Sequence, residues 1–256
     1  MLPVSGMALA VREPTGEDEL YVVETAAAVP LPVVLGLARR VASTATGGAL
    51  DWSGLPAADL DAVALMIRQS WIGDAIRTDA RCTGPDCQER IDVTFGIADY
   101  IEHHRPRRPR GITDAPGAGW FALAGAAVRF RIPTVADLLA AMSGDRPSET
   151  LSGRCIDAPE IPRVLARRLD RALSALAPSL DDLLGGSCPA CGHEVTMRFD
   201  PLAYTVAELR NVFSGIYLET HALAAAYGWP EEAILALPRR RRRRYASIIA
   251  DERPVA

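Results

Sequence analysis

The sequence predicts an α+β protein that is mainly helical, with small β-hairpins and a C-terminal helical region. Two pairs of cysteines, Cys82/Cys87 and Cys188/Cys191, lie on turns that contain Gly and Pro, and alternating apolar residues follow each pair. Apolar residues at spacings of three and four precede both pairs and fill the last quarter of the chain. The hydrophobic content of 49% is sufficient for a packed core.

The two cysteine pairs belong to an internal repeat. When the second cysteine of one pair is superposed on the second cysteine of the other, without gaps, large apolar residues coincide along both segments. The matched pairs are Ile91 and Val195, Val93 and Met197, Phe95 and Phe199, and Tyr100 and Tyr204. We interpret each copy as a helix, a cysteine knuckle and a strand, so that the unit occurs twice.

The first elements lead towards the first cysteine pair. Residues 7–24 have the pattern of a β-hairpin with its turn at residues 14–18. Residues 25–54 give only a weak pattern around a short apolar patch. A helix is predicted from residue 57 to residue 77 because Leu60, Val63, Ile67 and Trp71 share one face. The first knuckle and a strand over residues 91–95 follow it.

The middle of the chain is predicted as a linker, a hairpin and a helix. The linker, residues 102–111, is basic and broken by prolines, and its His103 and His104 are expected to face solvent. Strands at 120–123 and 127–132 form a second hairpin, which we expect to pair with the strand after the first knuckle. Thr134 caps the next helix with Asp137 three residues later, and this helix ends near residue 144. Residues 144–160 have a loop-like composition.

The remaining elements are predicted to be helical, apart from the second knuckle and its strand. One helix covers residues 161–176 and leads into the second cysteine pair. A longer helix carries an apolar stripe from Val206 to Tyr227 and ends at Gly228. A short helix follows Trp229, and a terminal helix follows Pro238. We expect three lobes, 1–135, 136–204 and 205–256, within one compact unit.

Four of the five cysteines are candidate metal ligands. One knuckle supplies two thiolates, so two knuckles complete the four-ligand tetrahedral site that is typical of structural zinc. We therefore predict one structural Zn²⁺ held by Cys82, Cys87, Cys188 and Cys191. A metal-free site and a disulfide within each pair are the alternatives, and His193 is a further possible ligand. Cys155 is expected to be a buried free thiol.

Composition and motifs narrow the function classes. The net charge of −4 gives no general reason to expect binding to nucleic acid or to a membrane surface. No segment has the apolar length of a membrane span, and the N-terminus lacks the basic segment of a signal peptide. No phosphate-binding loop, nucleophile elbow or His-Glu-x-x-His motif occurs, so we expect no enzyme. The run Arg239–Arg244 is interpreted as a basic helix face that pairs with acidic residues.

The order and spacing of several segments resemble a known family. These segments are Phe130–Leu139, the Cys-Pro-x-Cys-Gly knuckle from Cys188 to Asp200, and the C-terminal stretch Glu219–Pro238 followed by Arg243, Arg244 and Tyr245. They resemble the baseplate-hub proteins and hub-assembly factors of T-even-like phages and phage-tail-like contractile injection systems. The first knuckle departs from the pattern because four residues separate its cysteines.

The resemblance implies a non-enzymatic baseplate component or assembly factor that binds other baseplate or hub proteins in the cytoplasm. Trp229, Arg243, Arg244 and Tyr245 are the candidate partner-binding residues, because large aromatics and Arg are typical of interfaces. The alternative is a zinc-ribbon protein that binds nucleic acid or acts as a regulator. The acidic balance of the two knuckle segments argues against phosphate binding there.

Overall fold

The computed structural model describes residues 1–25, 29–158 and 161–252. Helices account for 48% of the described residues and strands for 20%, which confirms a mainly helical α+β protein. Short antiparallel sheets lie among the helices. Residues 26–28 and 159–160, within two weakly patterned segments of the sequence, lie outside the described residues.

The predicted hairpin over residues 7–24 is wrong. Strand β1 (Leu9–Val11) is followed by helix α1 (Gly16–Glu24), and after α2 (Pro30–Val41) comes strand β2 (Ala42–Thr44), which pairs antiparallel with β1. Leu20 to Val23 have strand-forming side chains, but Thr15 and Asp18 form a capping box that starts a helix. Burial of Val22 in the main core then stabilises α1.

Each cysteine turn lies at the tip of a β-hairpin. Helix α3 (Ala57–Ile72) ends at Gly73, so the predicted end at residue 77 is wrong. Strands β3 (Ala75–Arg81) and β4 (Arg90–Gly96) then pair on either side of the first knuckle, and α4 (Ile97–His103) follows. The φ of Gly73 is 124°, which favours glycine and stops the helix before the strand.

A separate four-stranded antiparallel sheet occupies the middle of the chain. It consists of β5 (Ile112–Asp114), β6 (Trp120–Leu123), β7 (Arg129–Arg131) and, after α5 (Val135–Met142) and α6 (Pro147–Cys155), β8 (Ile156–Asp157). The predicted β6–β7 hairpin is confirmed, but its pairing with the strand after the first knuckle is wrong. The described part of residues 144–160 holds α6 and β8, so the loop prediction there is also wrong.

The second half repeats the hairpin arrangement and ends in helices. Its elements are α7 (Arg163–Leu176), β9 (Asp182–Ser187), β10 (Glu194–Phe199), α8 (Pro201–Phe213), α9 (Ile216–Tyr227), α10 (Glu231–Leu235) and α11 (Arg239–Glu252). The single long helix predicted through Val206 and Tyr227 is wrong, because Ser214 and Gly215 separate α8 from α9. Gly228 ends α9 in the left-handed conformation, as predicted.

Buried residues form a main core and smaller clusters. The main core extends from Leu2 to Phe213 and includes α3, whose Leu60, Val63 and Ile67 are fully buried. A second cluster joins the four-stranded sheet to α7, and a third joins α9, α10 and α11. The two hairpins meet beside the main core, so the cysteine turns project from its edge.

A second repeat links distant helices. The sequence Arg-x-Pro-Thr-x-x-Asp occurs at residues 12–18 and 131–137, and each copy joins a short strand to a helix. In both copies the arginine forms two hydrogen bonds to the aspartate, which also accepts from the threonine backbone and hydroxyl. We call these segments the first and second Thr–Asp joints.

Each Thr–Asp joint holds the start of a distant helix. Arg239 at the start of α11 donates its backbone N–H to the Pro14 carbonyl at 2.9 Å, and Ala57 at the start of α3 donates to the Pro133 carbonyl at 2.8 Å. β-bridges accompany these bonds, from Thr15 to Pro238 and from Thr134 to Pro56. The two joints are therefore equivalent in their long-range contacts as well as in their sequence.

Candidate metal centre

The four predicted cysteine ligands lie together at the tips of the two hairpins. The Sγ atoms of Cys82 and Cys191 are 3.5 Å apart, and those of Cys87 and Cys188 are 3.8 Å apart. All four Sγ atoms lie within 4.8 Å of one another. A tetrahedral site with metal–sulfur bonds of about 2.3 Å has edges of about 3.8 Å. The arrangement therefore has the dimensions of a four-thiolate metal site.

The two sulfur contacts follow a local twofold relation. Each contact joins the first cysteine of one pair to the second cysteine of the other. A twofold axis that exchanges the hairpins would convert one contact into the other. This is the relation that the sequence repeat predicts for two knuckles that face each other.

Backbone hydrogen bonds fix the two cysteine turns. The Cys82 N–H donates to the Glu89 carbonyl, and the Cys188 N–H donates to the His193 carbonyl, each at 2.9 Å. Gly192 has a φ of 73° and donates its N–H to the Cys188 carbonyl, which closes the Cys-Pro-Ala-Cys-Gly turn. The Gly84 N–H donates to the Cys82 sulfur at 3.4 Å. These bonds hold the two turns in a conformation that directs the sulfur atoms towards one another.

Aromatic residues at matched positions join the bases of the hairpins. The rings of Phe95 and Phe199 meet edge to face at 5.1 Å, and Tyr100 and Tyr204 pack against Phe199 at 5.3 and 5.4 Å. Such pairs add stability beyond the area that they bury. The aromatic residues that match in the sequence repeat therefore also lie together in the structure.

The matched tyrosines also form reciprocal hydrogen bonds. Tyr100, after the first hairpin, donates its hydroxyl to the Leu180 carbonyl at 2.7 Å, just before the second hairpin. Tyr204, after the second hairpin, donates to the Arg77 carbonyl of the first at 3.0 Å. His104 packs on Tyr100 and contacts Asp182, so its predicted exposure to solvent is wrong. The hairpins are thus joined at their bases as well as at their tips.

The cluster favours stepwise ionisation of its thiols. Burial opposes ionisation of Cys188, but the N–H groups of Cys191 and Ala190 and the neighbouring thiols lower its pKa to about 7. For Cys82, the Gly84 N–H lowers the pKa, but burial and the other three cysteines outweigh it and raise the pKa to about 12. A bound cation would offset the repulsion between thiolates that holds these protons.

The other cysteine and histidine candidates lie in separate positions. Cys155 is a buried free thiol, as predicted, and its sulfur lies 3.7 Å from Asp137 in the second Thr–Asp joint. Burial raises the pKa of Cys155 to about 11, which makes it a poor nucleophile. The His193 side chain is next to Gly84, and this histidine is not a member of the four-residue group. All five cysteines are free thiols.

The candidate partner-binding residues divide between a cluster and a cleft. Trp229 and Tyr245 meet edge to face at 5.2 Å, and both are half-buried against Ile234 and Ile249. Arg243 and Arg244 are exposed on another side of α11, where they line a cleft. The structure therefore gives both aromatics a packing role and leaves the two arginines open to solvent.

The fold and the site define an α+β protein with two related hairpins that meet at a four-cysteine cluster. No protein-family model, curated protein or solved structure matches this chain. Within the described residues, none of the helices combines the length and the apolar character needed to cross a membrane.

Proposed function

We propose that the protein is a structural component or assembly factor of the baseplate of a contractile phage tail or contractile injection system. It acts by binding other baseplate or hub proteins during assembly in the cytoplasm. The observation that carries the proposal is a mainly apolar surface on α9, a helix that overlaps the segment that resembles the hub family. We call this surface the α9 outer face; it comprises Tyr217, Leu218, His221 and Ala225.

The α9 outer face has the properties of a protein-binding surface. The inner side of α9 is anchored by Ile216 and Leu223, which are buried. On the other side Leu218 is 75% exposed and Tyr217 is 51% exposed. A helix that is apolar on both sides is typical of one that lies between two packing partners. Clustered exposed apolar residues likewise mark interaction sites more often than isolated ones.

The four-cysteine cluster supports an architectural role. We propose that its ion is Zn²⁺, since four thiolates in a tetrahedral arrangement are the donors of structural zinc sites. Four protein ligands leave no open coordination position for water or substrate, which supports a non-enzymatic function. The ion would fix the two hairpin tips to each other, and their bases would hold α4 and α8 in place. Function would then depend on the surfaces that these helices position.

The baseplate assignment can be tested in the cells that encode the protein. We expect deletion of the gene to abolish assembled baseplates, and we expect the tagged protein to co-purify with hub proteins from cells that assemble particles. Normal numbers of intact contractile particles in the deletion strain would contradict the proposal. Mass spectrometry of finished particles then distinguishes a component, which is retained, from an assembly factor, which is absent.

A matched pair of variants tests the surface itself. Leu218→Glu places a charge on the α9 outer face, and we expect it to abolish co-purification of the hub proteins. Val164→Glu is the control, because Val164 is 73% exposed on α7, outside this face. Equal loss of the hub proteins in both variants would show that the α9 outer face is not the binding surface.

The alternative function is nucleic-acid binding or regulation, and exposed arginines on α11 favour it. Arg240, Arg241 and Arg244 are exposed, and Arg guanidinium groups are common phosphate ligands. Against it, the knuckle tips carry Asp86, Glu89 and Glu194, where a zinc ribbon would need basic residues. Tight DNA or RNA binding that weakens steeply with salt would favour this alternative.

A further inference from the structure

A basic cleft separates the start of α11 from the end of α3. Its volume is about 930 Å³, and four arginines line it, Arg239, Arg240, Arg243 and Arg244. Ser70, Trp71 and Ser247 contribute to its walls, and Glu13 and Pro14 of the first Thr–Asp joint complete it. We call this site the Arg–Trp cleft, and it is separate from both the cysteine cluster and the α9 outer face.

The positive charge of the Arg–Trp cleft exceeds the acidic charge beside it. Arg242 is fully buried and takes the close contacts, at 2.5 Å to Glu19 and 3.1 Å to Glu219. Arg239 and Arg243 reach the same two carboxylates only at 3.7 and 3.6 Å. The two carboxylates are therefore shared by three guanidinium groups.

The guanidinium groups of the remaining arginines of the run have no acidic partner in the described part of the chain. Among the described side chains of residues 1–25, 29–158 and 161–251, no ion pair involves Arg240, Arg241 or Arg244. Burial lowers the pKa of Arg239, and the nearby Arg243 adds to this effect while Glu19 opposes it. The Arg–Trp cleft therefore carries uncompensated positive charge.

The walls of the Arg–Trp cleft are held in place by the fold. The Arg239 guanidinium lies 4.9 Å from the centre of the Phe213 ring and donates to the Val212 carbonyl at 2.9 Å. Trp71 donates its indole N–H to the Arg12 carbonyl at 2.9 Å, which fixes the ring beside the arginines. A ligand would therefore find two of its contact groups already ordered, which lowers the entropy cost of binding.

We propose that the Arg–Trp cleft binds an acidic peptide segment of a partner protein. Guanidinium groups pair with carboxylates through two parallel hydrogen bonds, and exposed Arg240 and Arg244 are available for such pairs. The half-buried Trp71 offers apolar contact to a neighbouring side chain of the same segment, and the buried Pro14 lies in the same cleft wall. The proposal does not depend on the baseplate assignment, because it concerns the chemistry of the ligand.

Charge and size favour a peptide over a nucleic acid. The six arginines cover about 9 Å of helix axis, enough for two or three phosphates of one DNA strand. Beyond the cleft, a polyanion would meet a chain with a net charge of −4 despite the arginine run. Glu13 in the cleft wall accepts a hydrogen bond from the Arg240 backbone N–H, and its charge opposes either kind of anion equally. A short acidic segment stays within the cleft and avoids the conflict with the rest of the surface.

Fluorescence anisotropy of the full chain tests the proposal. The probes are a labelled peptide of Asp and Glu residues around a central Leu, its Asn and Gln counterpart, and a labelled single-stranded oligonucleotide. Arg240→Gln and Arg244→Gln remove charge from the Arg–Trp cleft. Arg241→Gln is the matched control, because it removes the same charge from the same helix, where Arg241 lies over Tyr245 outside the cleft. Thermal unfolding establishes that all three variants fold.

We expect saturable binding of the acidic peptide and at least tenfold weaker binding of its neutral counterpart. Arg240→Gln and Arg244→Gln should each weaken acidic-peptide binding at least fivefold, and Arg241→Gln less than twofold. An equal effect of all three substitutions would show non-specific attraction and overturn the proposal. Tighter binding of the oligonucleotide than of the peptide, or no saturable peptide binding at low salt, would also overturn it.

Discussion

Replacement of one cysteine ligand is the sharpest test of the metal centre. The cross-hairpin sulfur distances of 3.5 and 3.8 Å are close to the edge of about 3.8 Å that a tetrahedral zinc–thiolate site requires. We therefore expect one Zn²⁺ per chain to bind without rearrangement of the hairpins. Cys191→Ser removes one sulfur and opens one position of the site to water.

The expected loss of zinc affinity is large. Changes to residues that only support a ligand cost about 10- to 100-fold in affinity, so loss of a ligand should cost at least about 100-fold, or about 2.7 kcal/mol. Structural zinc contributes about 10–16 kcal/mol to small zinc peptides, whose whole fold depends on it. Here the hairpin bases keep their aromatic contacts, so the loss of order should be confined to the tips.

Zinc content and hydrogen exchange measure these effects. Reduced wild-type protein should contain one equivalent of zinc, and Cys191→Ser should contain less than about 0.2 equivalent after dialysis against a weak chelator. Cys155→Ala is the control and should keep its zinc, because Cys155 is not a member of the four-cysteine group. Well under half an equivalent in the wild type, with all thiols reduced, would refute the argument. Exchange should rise in residues 82–87 and 188–191 of the serine variant.

Three further predictions concern buried charges. Arg242→Met should destabilise the protein by about 3–5 kcal/mol in denaturant unfolding, because it leaves the buried carboxylate of Glu19 without its close partner. Burial, with two aspartates nearby, raises the pKa of Asp61 to about 7, so its ionised form disfavours folding. Stability is therefore lost as the pH rises from about 4 to 7. We expect Asp61→Asn to recover about 1–2 kcal/mol of that stability at pH 8. Burial opposes ionisation of Asp137, but its arginine and threonine partners hold its pKa below the usual range. The stability that the ionised Asp137 gives to the fold is therefore present above about pH 4 and is lost at lower pH. We expect Asp137→Asn to cost at least about 2 kcal/mol at pH 7.

Each of these predictions has its own control. Arg241→Gln should change stability by less than about 0.5 kcal/mol, and a similar small change for Arg242→Met would contradict the ion-pair argument. Asp61→Asn should match the wild type near pH 4, and a constant gain at every pH would contradict the titration argument. The cost of Asp137→Asn should fall steadily as the pH drops below about 4, because the unfolded chain then binds a proton at Asp137 before the folded chain does, and an undiminished cost at pH 2 to 3 would contradict its assignment.

The cysteine site was predictable because its evidence is local and repeated. Spacing identified both knuckles, and superposition of the two segments identified the Phe95–Phe199 and Tyr100–Tyr204 matches that now form one aromatic cluster. The strand before the first knuckle was missed because the apolar face of α3 gave no sign of its end at Gly73. That end depends on a backbone conformation that composition does not reveal.

Other errors arose where long-range contacts override local preference. Residues 20–23 have strand-forming side chains, but the Thr15 capping box and the burial of Val22 produce a helix. The partner of β1 is β2, which a reading of adjacent segments does not suggest. The Arg–Trp cleft was also missed, because Trp71 and Arg240 are far apart in sequence and only tertiary packing brings them together. A comparison of Arg12–Asp18 with Arg131–Asp137 would have revealed the Thr–Asp joints.

The two Thr–Asp joints allow the cleft and the cysteine site to be perturbed separately. The first joint supplies Glu13 and Pro14 to the Arg–Trp cleft and holds the start of α11, whereas the second holds the start of α3, which leads into the first hairpin. Loss of an N-cap side chain costs about 0.5–2 kcal/mol, too little to unfold a typical domain. Thr15→Ala should therefore raise hydrogen exchange at the start of α11 and weaken acidic-peptide binding, while zinc stays at one equivalent.

Thr134→Ala is the matched change in the second joint. It removes the same hydroxyl from the same capping box, so its intrinsic cost should equal that of Thr15→Ala. Its effect should appear as faster exchange at residues 56–60 and not at the start of α11, with peptide affinity unchanged. If both substitutions weaken peptide binding equally, the joints do not act separately, and the cleft depends on global stability instead of on the contacts of Pro14 with Arg239.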